Sequence, residues 1–306
     1  MKTLYQESKN NKLRTVFLMT GFFIFFIAVG YAAAWYFNDS IILWIAVIFS
    51  VVSSFVSYWW SDKIILQMAQ AKPIDRNNGK EIYRLVENLC ITAGLPIPKI
   101  YLIEDPSPNA FATGRNPEHS AIALTSGLLA KLEKTELEGV IAHELSHIGN
   151  RDILISTVAT VLVGTIVILS DMAFRSMFWG NRGKSDNDNN SGNAGIIKFV
   201  IFLVLMILAP LSAKLLNLAV SRRREFLADS SAGLLTRYPE GLARALEKIS
   251  AVPQNLKKAN AATAHMYIVA PLQLDKNKNK SSVFKKLFMT HPPVAERVAR
   301  LRGVNL

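Results

Sequence analysis

Apolar residues gather into four long runs along the chain. Val16–Tyr36 and Ile41–Trp60 contain no charged residue, and each matches the roughly 20 residues that a bilayer-spanning helix needs. Only Phe37-Asn38-Asp39-Ser40 separates them, so the pair reads as a membrane hairpin. Ile153–Ser170 is a third uncharged run. At about 1.5 Å per residue it reaches roughly 27 Å, close to the thickness of a hydrocarbon core. Ile196–Val220 is a fourth, interrupted by Lys198, Pro210 and Lys214; lysines near the ends of such a helix can snorkel toward the headgroups. Ala32-Ala33-Ala34 resembles a signal-peptidase site. The run before it is longer than a signal core and a second span follows at once, so span one reads as an uncleaved anchor.

Between the runs the periodicity changes. Asn78–Ala93 places Ile82, Leu85, Val86 and Leu89 at helical spacing and stops at Gly94-Leu95-Pro96. Lys99–Ile103, Ala110–Thr113 and Ser120–Thr125 read as strands of a small sheet, with Gly114-Arg115-Asn116-Pro117 as a hairpin turn. Lys134–Arg151 is helical through Leu137, Val140, Ile141, Leu145 and Ile148, and is expected to run on into span three. Ser221–Thr236 and Gly241–Val252 are further helices, while 181–195 and 275–280 are polar loops of low complexity. The expected fold class is therefore a mainly α membrane protein with four transmembrane helices and an α+β polar domain that carries a small sheet. Residues 1–60 form a short tail and the first hairpin, and 61–152 the first part of the polar domain. Residues 153–220 form the second hairpin, and 221–306 the rest of the domain.

Charge sets the orientation. Lys2, Lys9, Lys12 and Arg14 precede span one, Arg222-Arg223-Arg224 follow span four, and the loop between spans one and two carries only Asp39 as a charged residue. By the positive-inside rule both termini and residues 61–152 are expected to face the cytoplasm. The net charge of +12 then fits a basic surface beside anionic lipid, and no nucleic-acid-binding motif accompanies it. Cys90 stands alone, so no intramolecular disulfide forms.

Against this background the stretch His143-Glu144-Leu145-Ser146-His147 carries chemistry. Histidines at i and i+4 share a helix face and can aim both imidazoles at one zinc ion, with Glu144 beside it as general base and then acid. A catalytic zinc commonly takes a third protein ligand. The extended motif with a third histidine is absent, since position 153 is Ile, and the first glutamate after the motif is Glu225. Asp152 lies too close along the same helix to complete the site easily. Asp229, one turn after Glu225, suits a hydrogen bond to a ligand histidine; the alternative for the pair is a solvated acidic face beside Arg222–Arg224. His291 before Pro292-Pro293 suits either an oxyanion donor or a plain turn histidine. Asn109, Ala110, Phe111, Ala112 and Thr113 read either as an exposed edge strand that holds an extended substrate or as an ordinary sheet strand. His265 reads as packed and His119 as solvent-facing.

The segments HELSHIGNRD, SRRREFLAD, PNAFATG (Pro108–Gly114) and THPPVAERVARL (Thr290–Leu301), in this order, resemble the HtpX family of membrane-bound zinc metallopeptidases, which is related to the CAAX prenyl proteases. The resemblance implies a zincin-like domain in the cytoplasm, Glu225 as zinc ligand with Asp229 as its partner, and the substrate-holding role of Asn109–Thr113. It also implies membrane-protein quality control under stress, with unfolded or damaged membrane proteins as substrates. Homo-oligomerisation is left open. Two other readings use similar text: a site-2-type intramembrane protease and a membrane zinc transporter. The first needs the motif inside a span, the second more spans than this chain offers. Cysteines placed in the 181–195 loop are expected to label only from the side opposite the termini; labelling from the cytoplasm alone would overturn spans three and four.

Overall fold

The computed structural model describes residues 4–179, 221–252, 263–269 and 291–303. The fourth apolar run and the loops 181–195 and 275–280 lie outside the described residues. Among the described residues, three helical windows have the length and composition to cross a membrane: Asn10–Tyr36, Ile41–Trp59 and Asp152–Leu169. They belong to α1 (Leu4–Phe37), α2 (Ile41–Trp59) and α7 (Asp152–Trp179). The third is the inner one. Of its window 67% is buried inside the protein, against 17% and 11% for the other two, because α1, α2, α3 (Ser61–Met68) and the sheet all pack on α7. Leu18 and Phe22 of α1 meet Leu154, Val158 and Leu162 of α7 in one apolar cluster. Trp35 and Trp44 point outward.

The sheet has four strands in the order β1-β2-β4-β3: β1 (Lys72–Pro73), β2 (Lys99–Ile103), β3 (Ala110–Gly114) and β4 (Ser120–Thr125). β3 and β4 form the antiparallel hairpin that the turn signal predicts, and β2 runs parallel to β4. Alternation along β4 explains why the sheet is buried on both faces. Ile122 and Leu124 point into the core of the polar domain, whereas Ala121 and Ala123 face α3, α7 and Tyr267.

That core is closed by α4 (Lys80–Ala93), α5 (Ser126–Lys131), α6 (Lys134–Gly149), α8 (Arg222–Thr236), α9 (Pro239–Ser250) and α10 (Val294–Leu301). α6 is the central helix, opened by a reciprocal capping box between Glu133 and Glu136. Its burial is nearly complete because α8 lies on one side and α9 on another. The approach of α9 is set by glycines: a Cβ on Gly139 would sit 2.6 Å from the Leu242 backbone nitrogen, and one on Gly241 would sit 2.6 Å from the Thr135 carbonyl.

One expectation is overturned. The active-site helix does not run on into span three: α6 ends at Gly149, Arg151 takes φ 58, and a new helix starts at Asp152. A left-handed residue cannot continue a right-handed helix, so the chain changes direction there. Asn11 of α1 clamps the break, its Nδ2 donating to the Asn150 carbonyl at 3.1 Å and to Asp152 Oδ1 at 2.6 Å.

Gly139→Ala is expected to push α9 off α6 and to destabilise the protein by about 1–3 kcal/mol, the usual range for overpacking. Thermal unfolding in detergent reads this directly, and an unchanged midpoint would show that the helices yield without strain.

Candidate metal centre

Because α6 presents positions i and i+4 on one face, His143 and His147 stand as neighbours, ring centroids 4.7 Å apart and nearly perpendicular. Their Nε2 atoms approach to 3.1 Å. α8 brings Glu225 against them, since its small residues Ala228 and Ala232 let it lie close to α6. Glu225 Oε2 is 3.8 Å from His143 Nε2, and Oε1 is 3.5 Å from His147 Nε2. Among the described residues these three form a group whose ligand atoms lie within 4.8 Å of one another.

Each imidazole is held from behind. Asp229 Oδ1 is 3.0 Å from His143 Nδ1, and Asp152 Oδ2 is 3.0 Å from His147 Nδ1. A carboxylate at Nδ1 keeps the proton there and leaves the Nε2 lone pair free. Two such lone pairs facing each other at close range repel unless a cation or a proton sits between them. Four buried carboxylates (Glu144, Asp152, Glu225, Asp229) share this region with two buried guanidinium groups, Arg224 and Arg297. When all four are ionised the excess is two negative charges, the amount that a divalent cation neutralises. The residues present thus fit a metal, with His143, His147 and Glu225 as its holders.

Arg297, fully buried on α10, had no role in the reading of the sequence. Its Nε and Nη2 donate to the two oxygens of Asp229 at 2.9 and 2.7 Å, and its Nη1 donates to the Ile268 carbonyl at 2.9 Å. The signal was present: Val294, Arg297, Val298 and Leu301 fall on one apolar helical face, and a charge there needs a buried partner. On one continuous helix Asp152 lies too close to His147 to complete the site easily. The break at Arg151 brings it back, and Arg224 Nε lies 3.3 Å from its other oxygen.

Protonation follows from these contacts. Burial lowers His143 to about 4, against the hydrogen bond it donates to Asp229. Burial also pulls on His147, yet the Asp152 hydrogen bond and the Glu225 charge outweigh it and raise the group to about 9. Glu144, 2% exposed, is raised to about 7 by burial despite the attraction of His147 and a backbone hydrogen bond at Ala112. Glu225 is buried too, but His291, His147 and Arg297 hold it well below the ordinary carboxylate range.

His291 does reach the site. Its Nδ1 is 2.9 Å from Glu225 Oε2 and its Nε2 is 2.9 Å from the His265 carbonyl. Both ring nitrogens are engaged in this arrangement, one with Glu225 and one with the His265 carbonyl. His265 is packed, with Nε2 3.2 Å from Thr160 Oγ1, and His119 is exposed.

The strand Asn109–Thr113 also departs from expectation. β3 is the last strand of the sheet, but it is buried throughout. Ile268 N donates to the Ala110 carbonyl, Asn109 Nδ2 to the Val269 carbonyl, and Gly114 N to Thr157 Oγ1 on α7. Residues 265–268 and His291 roof the site, which leaves a cavity of about 40 Å³, room for a few waters.

Residues 76–305 match the model of peptidase family M48. The chain belongs to peptidase family M48. It is similar along its whole length to proteins named protease HtpX homolog. That of Dictyoglomus turgidum is 44% identical over 301 residues, covering 98% of this chain and 94% of that protein. That of Listeria monocytogenes serotype 4a is 44% identical over 312 residues, covering 98% and 100%. The M48 fold is also similar to the crystal structure of S. mikatae Ste24p, with a TM-score of 0.50 at 20% identity over 97% of this chain and 66% of that one. Family and apolar helices together make the chain a membrane metalloprotease, and the transporter reading falls away.

Metal affinity is expected to rise about tenfold per pH unit toward pH 9, because a ligand that still carries a proton must release it. Asp152→Asn is expected to weaken binding about 10- to 100-fold at pH 9, the usual effect of losing such a support. The deficit should shrink toward pH 7, since His147 without its carboxylate partner binds a proton less tightly. Chelator competition across this range checks both; a deficit independent of pH would show that Asp152 acts on the fold alone.

Proposed function

We propose that this M48 metalloprotease is a zinc-dependent endopeptidase that cuts misfolded or damaged membrane proteins. In this reading His143, His147 and Glu225 hold the ion. One observation carries it: two histidines, each backed by a carboxylate, converge with Glu225 on a cavity that Glu144 also lines. The choice of zinc over other divalent ions rests on the nitrogen-rich donor set. When bound, zinc supplies a Lewis acid that polarises the scissile carbonyl and acidifies water.

The chain's own residues do the rest. Glu144 takes the proton of the attacking water and passes it to the leaving amine. Burial suits it to both halves of this cycle, because a carboxylate near neutral proton affinity accepts and returns a proton with similar ease. Asp152 and Asp229 fix the imidazole tautomers, and His291 holds Glu225 in place. Arg297 keeps Asp229 ionised by direct charge pairing.

An extended substrate reaching β3 is proposed to displace residues 266–269, which occupy the hydrogen-bonding positions at Asn109 and Ala110. The basic residues before span one and after span four support a cytoplasmic side for the catalytic domain and both termini, in a bacterial inner membrane. The active-site helix α6 packs within the polar domain's core, a placement that favours this reading over a site-2-type enzyme working inside a span.

Glu144→Gln is expected to retain the metal and to lose cleavage of an unfolded membrane protein by at least about 10²- to 10⁴-fold, the contribution of a general base. Metal content and cleavage measured on the same detergent-purified sample give the answer. Full activity in the variant would sink the assignment.

A further inference from the structure

A second cavity lies away from the metal centre, where α1, α2 and α7 meet the β3–β4 turn. Its volume is about 770 Å³, large enough for much of a small amphiphile. Three cations converge on it from three separate segments: Lys12 on α1, Arg115 in the hairpin turn and Arg151 at the break between α6 and α7. No aspartate or glutamate lines it. Among the described residues none of the three meets a carboxylate. The contacts of Arg115 are the Trp59 carbonyl at 3.4 Å and the Trp59 ring at 4.7 Å. Like charges gathered without a counterion repel one another, so the arrangement favours an anion.

The ligand is more than an anion. The walls below the cations are apolar, with Met19, Phe23 and Val51. Lys12 and Phe23 are eleven positions apart on α1, about 16 Å of helix, which is the depth from a headgroup to the upper acyl chain. Ser54 adds a buried hydroxyl with no hydrogen-bond partner on the wall of the same cavity. Trp59 beside Arg115 is the kind of residue that marks the headgroup level of a bilayer. Arg151 is held at φ 58, a conformation an ordinary side chain rarely adopts.

We propose that this cavity is a binding site for an anionic phospholipid, with the phosphate on Lys12, Arg115 and Arg151 and an acyl chain against Met19, Phe23 and Val51. Basic pockets between membrane helices bind lipid headgroups by this combination of charge and apolar wall. The test reads lipid retention alone and uses neither the metal nor proteolytic activity.

Full-length protein in detergent is offered phosphatidylglycerol and phosphatidylcholine, and the adducts are read by native mass spectrometry. Wild type is expected to retain phosphatidylglycerol in preference. Lys12→Gln/Arg115→Gln/Arg151→Gln is expected to lose it on the order of a hundredfold, at about one kcal/mol for each cation removed. The charge-preserving set Lys12→Arg/Arg115→Lys/Arg151→Lys should keep it, which separates charge from folding. Glycerol 3-phosphate, which carries the anion without the chains, should not compete. Equal retention of the two lipids, or an unchanged adduct on the glutamine variant, would overturn the proposal. So would displacement by glycerol 3-phosphate, which would mean a simple anion site, or by an acidic amphipathic peptide, which would mean a protein-docking surface.

Discussion

The structure depends on one electrostatic constraint, the burial of several like charges in a small volume. Glu144, Asp152, Glu225 and Asp229 are all buried, and an isolated carboxylate is costly to remove from water. Arg297 and Arg224 offset part of this, and the two histidines bring nitrogens that bind either a proton or a metal. Most other features of the site follow from that need. Asp229 is forked by Arg297, Asp152 is shared among Asn11, His147 and Arg224, and Glu225 is held by His291. Each carboxylate has a fixed set of donors, so each imidazole has a fixed orientation.

The same constraint explains how membrane and polar parts are joined. Asp152 is at once the first residue of α7 and the support of His147. Asn11, on the first span, donates to Asp152 and to the carbonyl of Asn150. Two membrane helices therefore end on the group that orients a histidine of the candidate metal centre. An unbroken helix would have given a stiffer junction and no such support, because Asp152 would have faced away. The positive φ at Arg151 costs of order 1 kcal/mol, and the hydrogen bonds around it outweigh that.

Local pattern made much of this legible. Helical period and capping signals located α4, α6 and α8 to within a residue or two, and alternation located β2, β3 and β4. The spacing of His143 and His147 declared the shared face, and elimination singled out Glu225. What stayed hidden depended on the path of the chain between elements. The two-residue β1 contains Pro73 and has no periodicity to read. Gly149 and Asn150 precede the break, but the left-handed residue is Arg151, which no pattern singles out, and without the break Asp152 has no claim on His147. Burial of β3 comes from residues 266–269, more than 150 positions away in sequence. Arg297 sat in plain view on an apolar helical face, but its partner could be named only once α8 and α10 were placed side by side.

Arg297 also shows why the roof over the site is part of the site. The same guanidinium that pairs with Asp229 donates to the Ile268 carbonyl, and the His265 carbonyl accepts from His291. The segment that closes the cavity is thus tied to the two residues that support His143 and Glu225. Any displacement of 265–269 by a substrate must leave two carbonyls for the incoming chain to replace, or expose a buried guanidinium and an imidazole to new partners. An extended peptide has such carbonyls at regular spacing along its backbone. The roof and an incoming backbone are therefore alternatives for one set of donors, and the geometry that seals the site against bulk water is the geometry that a peptide backbone can take over.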